Sequence, residues 1–584
     1  MKPRILETIG RAVAASIFFA FMAGCGGGGA SSTAPIRVAT TLTLTSGNNQ
    51  SGSRGEVLPN PLVVRVDDQT GKPLAGVAVT WTVTTGGGTV DHASSSTGSD
   101  GTASARWTLG TQAGTNSLTA ATGALAPVSF TATGTAGPLA SIAITPPGIP
   151  VETGDVLQLG VAAADAYGNA VPLPALTWTS SDSGIARVTA DGFLIALAPG
   201  TASISASIGQ VAGSLPLTIN AGITFSLGAE ETVFAWLTDR CEDLDVPDVP
   251  AHAVRLADDS LVLIAGDAPR YYASFGADFS SLQRSCAQTA LVSGDNYYPE
   301  SYDNWEWLHS VYREGGVIHA LIHNEYHDPF APNCSSGYTG PGNPCWYNSI
   351  TSAYSTDGGL TYTHATPPAH VVAPAPVLWD PAGTPPPHGY FNPSNIVQGQ
   401  DGFYYSIFRA IDRTGNQALC VMRTQTLDDS TSWRAWDGTG FNLHMTSPYT
   451  GPAPASCAAV INRPDVVGEP SLTYNTYLDK YMMLGMKGVG GPTEVVGGFF
   501  YAFSSDLVNW TQARFIRAAY IPWCCAQWSR SEAIAAVYPS VIDHGDTTVN
   551  FEKPGRTPYL YYTRPNDYGL NRDLVRVPMT ITAH

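Results

Sequence analysis

Three short segments in the C-terminal half constrain the fold more than anything else in the chain: Asn392-Pro393-Ser394-Asn395-Ile396, Glu469-Pro470-Ser471-Leu472-Thr473 and Tyr538-Pro539-Ser540-Val541-Ile542. Each repeats an X-Pro-Ser signal and is followed by a turn and then an apolar strand with a polar end. Those strands are Gly402–Arg409, Lys480–Lys487 and Pro558–Arg564. A spacing of roughly 70 residues suits a four-stranded propeller blade carrying long loops. Two earlier segments fit the same scheme without Pro-Ser: Ala251–Arg255 with Leu261–Asp267, and Trp307–Val311 with Val317–His323. The reading is therefore a five-bladed β-propeller over 222–584.

A chain of 584 residues exceeds one core, and several domains are expected. Charged residues make up only 13% and the net charge is −18. No basic face for phosphates is available, which argues against nucleic acid as a partner. The composition suits an exported, β-rich protein meeting neutral or weakly polar ligands, and a monomer is expected. Beyond the N-terminus no stretch of about 20 apolar residues occurs, so no spanning helix is expected.

Residues 1–25 read as a targeting segment. Lys2, Arg4 and Arg11 supply the positive region and Ala12 to Ala23 the apolar one. The run Phe21-Met22-Ala23-Gly24-Cys25 resembles a bacterial lipobox, which implies lipidation at Cys25 and a membrane anchor. Gly26 after the cysteine implies an outer-membrane lipoprotein of the cell envelope, facing the periplasm or the cell surface. An ordinary cleaved signal peptide is the plainer alternative. The other eight of the nine cysteines lie between 241 and 525, an even count that reads as disulfides in an exported domain. Proximity pairs Cys334 with Cys345, Cys241 with Cys286 and Cys420 with Cys457. Cys524 and Cys525 form a vicinal bridge or bond elsewhere. Paired C-x-x-C spacing is absent, which disfavours metal binding by these thiols.

After a Gly/Ser/Thr tether at 26–36, residues 37–136 show short alternating strands separated by turns, the pattern of a β-sandwich. The run beginning at Asp68 and reaching Val79-Thr80-Trp81 resembles a bacterial Ig-like domain of group 1. Residues 138–220 are similar to the group 2 type, on Thr177-Trp178-Thr179-Ser180-Ser181-Asp182 and Pro199-Gly200-Thr201-Ala202. Neither module clusters His, Cys or carboxylates, so both read as spacers, with adhesion as the alternative. The fold class expected overall is all-β: two Ig-like sandwiches followed by a five-bladed propeller.

Within 222–584, Ser355-Thr356-Asp357-Gly358-Gly359-Leu360-Thr361-Tyr362 matches the Asp-box pattern, with degenerate copies at Ser504–Trp510 and Asp428–Trp433. The box implies a turn between outer blade strands and a structural role. In a blade, the inner strand begins and the second strand ends on the same face, so such residues from all blades converge at one mouth. Blade one offers His252, Asp267 and Arg270; blade two offers Glu306, His309, His323, Glu325, His327 and Asp328. Blade three offers Asn392, Arg409 and Asp412, blade four Glu469 and Lys487, and blade five Tyr538, Arg564 and Asp567. Clefts that gather ionisable groups favour shifted pKa values. On a strand, His323, Glu325 and His327 share a face, and could bind a divalent cation or set a base beside an acid. A polar strand end bonded to neighbouring blades is the plainer reading.

The repeat pattern and Glu469 before Pro-Ser resemble five-bladed glycosidases of the arabinanase, xylosidase and invertase type, which place acid glutamates at such positions. These families begin blade one with an Asp base; here that position reads Val249-Pro250-Ala251-His252, with Asp248 alongside. The resemblance implies a glycan substrate and a pair of carboxylates flanking the scissile bond. Glu469 is the expected acid and Glu325 its partner, with Asp412 or Asp248 as substitutes. Arg409, Arg564, Asn392, His252, His309, Trp307 and Tyr538 are the expected substrate-binding residues, and Trp305 or Trp307 could stack on a sugar ring. A sialidase-type site would instead draw on Arg255, Arg409 and Arg564 with a tyrosine nucleophile. A non-catalytic glycan-binding propeller, an adhesin and a polysaccharide lyase using a His/Tyr pair stay open.

Overall fold

The computed structural model describes residues 36–584 except 295, 297, 328–345, 381–386, 452–454, 463–464, 523–533 and 568. Cys25, Cys334, Cys345, Cys524, Cys525 and Asp328 therefore lie outside the described residues, together with the targeting segment and most of the tether. Strand dominates, and among the described residues no helix is long and apolar enough to cross a membrane.

Two compact units divide the chain at Gly137. In the first, one sheet orders Ala39–Ser46, Leu62–Asp68 and Thr102–Ala105, and a second sheet centres on Gly114–Ala121 and Val128–Thr135. Leu62, Val64 and Val66 alternate inward along their strand and meet Trp81, Trp107 and Phe130 in one core. Period-two alternation is what a half-buried antiparallel strand requires.

The second unit, 138–584, begins with another sandwich, built around Gly200–Ile208 and Val211–Asn220, and continues into the propeller. Blade one runs outward as His252–Arg255, Leu261–Ile264, Ala273–Gly276 and Gln283–Arg284. Blade two runs Trp305–Glu314, Val317–His327 and Trp346–Ser355, edged by Val371–Ala373. Blade three centres on Tyr404–Ile411 and Gln417–Thr424, with Val397–Gln398 inside and Arg434–Ala435 outside. Blade four is Gly468–Asn475, Lys480–Gly490, Val495–Ser504 and Arg514–Ala518.

Blade five closes the ring. Its inner strands are Val537–Ile542, Tyr559–Pro565 and Arg572–Thr582, but its outermost positions are filled by Thr224–Leu227 and Glu231–Phe234 from the start of the domain. The first and last segments of the propeller thus share one sheet, which removes the free edges a linear array of blades would leave. Neighbouring inner strands lie against one another around the ring. The Asn395 amide ties blade three to the Leu472 backbone of blade four, and Ser310 Oγ accepts from Ile396 N at 3.1 Å between blades two and three.

The Asp-boxes are structural turns, as expected. Asp357 Oδ1 accepts from Thr361 N at 3.0 Å, and Tyr362 is buried in the core of blades one and two. Asp506 caps Val508 N and Asn509 N in the same way. Cys241–Cys286 and Cys420–Cys457 are disulfides.

The second Ig-like domain is more than a spacer. Ile195 enters the core of blade four beside Phe500 and Phe515, and Phe515 N donates to Gly154 O at 2.7 Å. Asp191 Oδ2 accepts from Thr493 N at 2.9 Å and Glu494 N at 2.7 Å, gripping the hairpin between the second and third strands of that blade.

Candidate functional site

Each X-Pro-Ser segment does the same local job. Asn392, Glu469 and Tyr538 all adopt left-handed backbone conformations, with φ of 51°, 52° and 54°. Such a conformation is costly for a residue with a Cβ, and is found where surrounding structure imposes it. Ladder registers slip at Glu469 and Tyr538, between Gly468 and Ser471 and between Val537 and Ser540; a third slip, between Leu308 and Ser310, falls at His309 of blade two. A bulge re-aims the side chain it carries. The inner strands of four consecutive blades thereby present His309, Asn392, Glu469 and Tyr538 to one region.

Glu469 is the hub. Its Oε2 lies 3.1 Å from His309 Nε2, and its Oε1 accepts from the Asn392 amide. His309 is fixed on its other side, with Nδ1 2.8 Å from the Pro393 carbonyl oxygen. Arg409 stands beside this group, its guanidinium 5.2 Å from the Phe391 ring centre. His252 and His323 face His309, and burial together with that neighbour holds both imidazoles below their usual range, His252 at about 3. Both are neutral at physiological pH.

A second cluster abuts the first. Asp248 pairs with the Arg572 guanidinium and accepts a hydrogen bond from the Tyr538 hydroxyl, and it feels the charge of Glu469. Burial pushes Asp248 above the usual carboxylate range, while Arg572 and Tyr538 pull it back. Asp267 lies beside Asp248, accepts from Trp307 Nε1 at 2.8 Å, and is pushed well above the usual range by burial and then by the Asp248 charge. Two carboxylates so close do not both ionise readily; Asp248, holding the arginine, is the one that does. Burial raises Tyr538 well above the usual phenol range, so it stays a hydrogen-bond donor.

At the rim, Trp305 is 40% exposed and stacks on Trp307 with ring centres 6.2 Å apart. Glu325 and His327 lie beside it: His327 Nε2 is 2.9 Å from Glu325 Oε2, and the His327 ring centre is 6.0 Å from that of Trp305.

Several expectations are corrected by this geometry. Asp412 is not at the mouth: it is an exposed turn residue accepting from Thr414 N and Asn416 N, and those bonds with the Thr414 hydroxyl hold it at about 2. Arg564 is committed to Glu230 and, at 2.7 Å, to Asp573, across the outer strands of blade five. His323, Glu325 and His327 share a face but are bonded separately: His327 bonds Glu325 at 2.9 Å, whereas His323 Nε2 bonds Asn348 Oδ1 at 3.1 Å and lies 3.7 Å from Glu325, beyond hydrogen-bond reach. Among the described residues no group of three or more His, Cys, Asp or Glu is arranged to hold a metal ion. Arg255 reaches Asp546 O and the Phe551 ring, so an arginine triad with Arg409 and Arg564 does not assemble. Glu306 pairs with His364 at 2.8 Å, Arg270 with Glu242 at 3.6 Å and Lys487 with Asp465 at 3.3 Å, while Asp567 is exposed.

Arg572 and Asn348 were missed. Both sit at the start of a third blade strand, which runs back from the mouth where the second strand ends. The antiparallel order that placed the inner and second strands places this position there too.

Residues 41–135 match the bacterial Ig-like domain (group 1) and residues 138–219 the bacterial Ig-like domain (group 2). The chain carries both domains. No curated protein matches it. Among solved structures, a protein of unknown function from Dyadobacter fermentans is 11% identical, with 61% of this chain and 99% of that one covered and a TM-score of 0.37. An endo-arabinase from Bacteroides thetaiotaomicron is 11% identical over 57% and 96%, with a TM-score of 0.32. The Cellvibrio cellulosa alpha-L-arabinanase complexed with arabinohexaose is 10% identical over 57% and 91%, with a TM-score of 0.33.

Proposed function

We propose that the propeller is a glycoside hydrolase whose reacting groups are Glu469 and Asp248. The observation that carries this reading is that Asp248, held by Arg572, and Glu469, held by His309 and Asn392, face one region although they come from blades one and four. Hydrolysis of a glycosidic bond needs a proton for the leaving oxygen and a carboxylate on the other side of the anomeric carbon. Glu469, bonded by His309 and Asn392, is the proton donor. Asp248, paired with Arg572, is the carboxylate that ionises, acting as base or nucleophile. Asp267 stays protonated beside it and limits the negative charge of the pocket. Trp305 offers an exposed aromatic face for a sugar ring.

The test is turnover of the full chain on a panel of neutral and acidic oligosaccharides. Glu469→Gln and Asp248→Asn should each lower kcat by about a thousandfold or more, with binding retained, since each removes a group acting in the transition state. Binding without turnover by the unsubstituted chain would sink the hydrolase reading and leave a glycan-binding propeller.

Lipid attachment at Cys25 belongs to the same proposal, with the Ig-like domains carrying the enzyme outward from an outer membrane. Two or more acyl chains on one cysteine hold a protein stably at a bilayer without a spanning helix. Metabolic labelling with a fatty-acid analogue should mark the chain, and Cys25→Ser should abolish the label; an unlabelled native chain rejects the anchor.

A further inference from the structure

We infer that His309 and Glu469 hold a single proton between them and act as one dyad, so that His309 is a positioning residue for the acid rather than a sugar-binding side chain. This rests on the hydrolase reading for its catalytic meaning, but the proton count stands on geometry alone.

A backbone carbonyl can only accept. The Pro393 oxygen, 2.8 Å from His309 Nδ1, therefore requires the proton on Nδ1. A neutral ring then has a bare lone pair at Nε2, which points at Glu469 Oε2 from 3.1 Å. Two unprotonated acceptors at that distance would repel. One hydrogen must lie between them, either as a carboxylic acid donating to a neutral ring or as an imidazolium donating to a carboxylate. At Oε1 the Asn392 amide supplies its own hydrogen, leaving only Oε2 for the shared one. His309 is 1% exposed and Glu469 13%, so water does not readily substitute for either partner.

Other groups around the pair bear on which form prevails. His252 and His323 are neutral and face His309, and Arg409 stands near His323. Asp248 and Tyr538 face Glu469 from the opposite side. The proton on Oε2 is the one that a glycosidic oxygen receives. As the bond from that oxygen to the anomeric carbon breaks, the proton passes to the departing alcohol and Glu469 is left ionised. Water adds its oxygen to the anomeric carbon and gives up one proton, so one water is consumed overall, and solvent returns a proton to the dyad.

Two measurements on the full chain test this. Nitrogen NMR of the 15N-histidine-labelled protein, with His309→Gln used for assignment, should show Nδ1 of His309 protonated at neutral pH and Nε2 hydrogen-bonded. Glu469→Gln should leave Nδ1 protonated and shift the Nε2 signal. A neutral ring protonated at Nε2 instead overturns the dyad, whatever the activity. The second measurement is the pH profile of kcat/KM. His309→Gln should move its alkaline limb acidward, because the acid then lacks its proton-sharing partner, and should lower kcat with KM little changed. A profile that only falls in height, or a rise in KM alone, overturns the dyad while leaving hydrolysis by Glu469 intact. A shared proton in a chain that turns over no glycan overturns the hydrolase reading while leaving the dyad.

Discussion

Arg514, on the outer strand of blade four, donates to Asp155 of the second Ig-like domain at 2.9 Å, and Asp155 is only 3% exposed. The same guanidinium reaches Glu152 at 2.6 Å. With Arg187–Glu494 at 2.7 Å and the backbone bonds accepted by Asp191, it joins sandwich and propeller. Arg514→Met should destabilise the chain by about 2 kcal/mol, because it strands Asp155 without its cation. Denaturant unfolding followed with Asp155→Asn should give a double-mutant coupling of about 1 kcal/mol or more. Additive effects would mean that Arg514 and Asp155 do not stabilise the junction as a pair.

Asp267 offers a pH-dependent test. Its folded-state value lies above the unfolded one, so its contribution to stability is complete below the ordinary carboxylate range and is lost as pH rises through the folded value. Asp267→Asn keeps an acceptor for Trp307 Nε1 and removes the charge. It should stabilise the protein at pH 7–8 by on the order of 1 kcal/mol and change little at pH 4. Equal effects at both pH values would contradict the assignment.

Arg564→Ala separates structure from substrate binding. Its partner Asp573 lies on a strand that closes the ring, and Glu230 immediately precedes another. Unfolding should move to lower denaturant by about 1–2 kcal/mol, while KM for any glycan turned over stays unchanged. A raised KM would return Arg564 to the binding site.

The Cys420–Cys457 disulfide closes a loop with a sequence separation of 37 and anchors the fully buried Cys420 in blade three. Replacing both residues by serine should cost about 3–4 kcal/mol on the loop-entropy account, read as a fall in melting temperature. An unchanged melting temperature would mean that the loop is ordered by its packing alone.

Much of the architecture is legible along the chain because its determinants are local. Alternating Leu62, Val64 and Val66 write a sandwich strand, and the X-Pro-Ser recurrence writes a blade period. Ser355-x-Asp357 writes a turn, and Cys420 and Cys457 sit close enough in sequence to be matched. Inner-strand residues such as His309, Asn392, Glu469 and Tyr538 are equally legible, since one rule of blade direction locates them. What no local pattern carries is which polar groups meet across blades. Asp412 and Arg564 sit at strand ends of the right kind, yet nearer partners within their own blade claim them. Arg572 and Asp248, 324 residues apart, find each other only because the first and last segments of the propeller share a sheet. The backbone conformation of each blade is a matter of neighbouring residues, whereas pairing of charges is settled by closure of the ring.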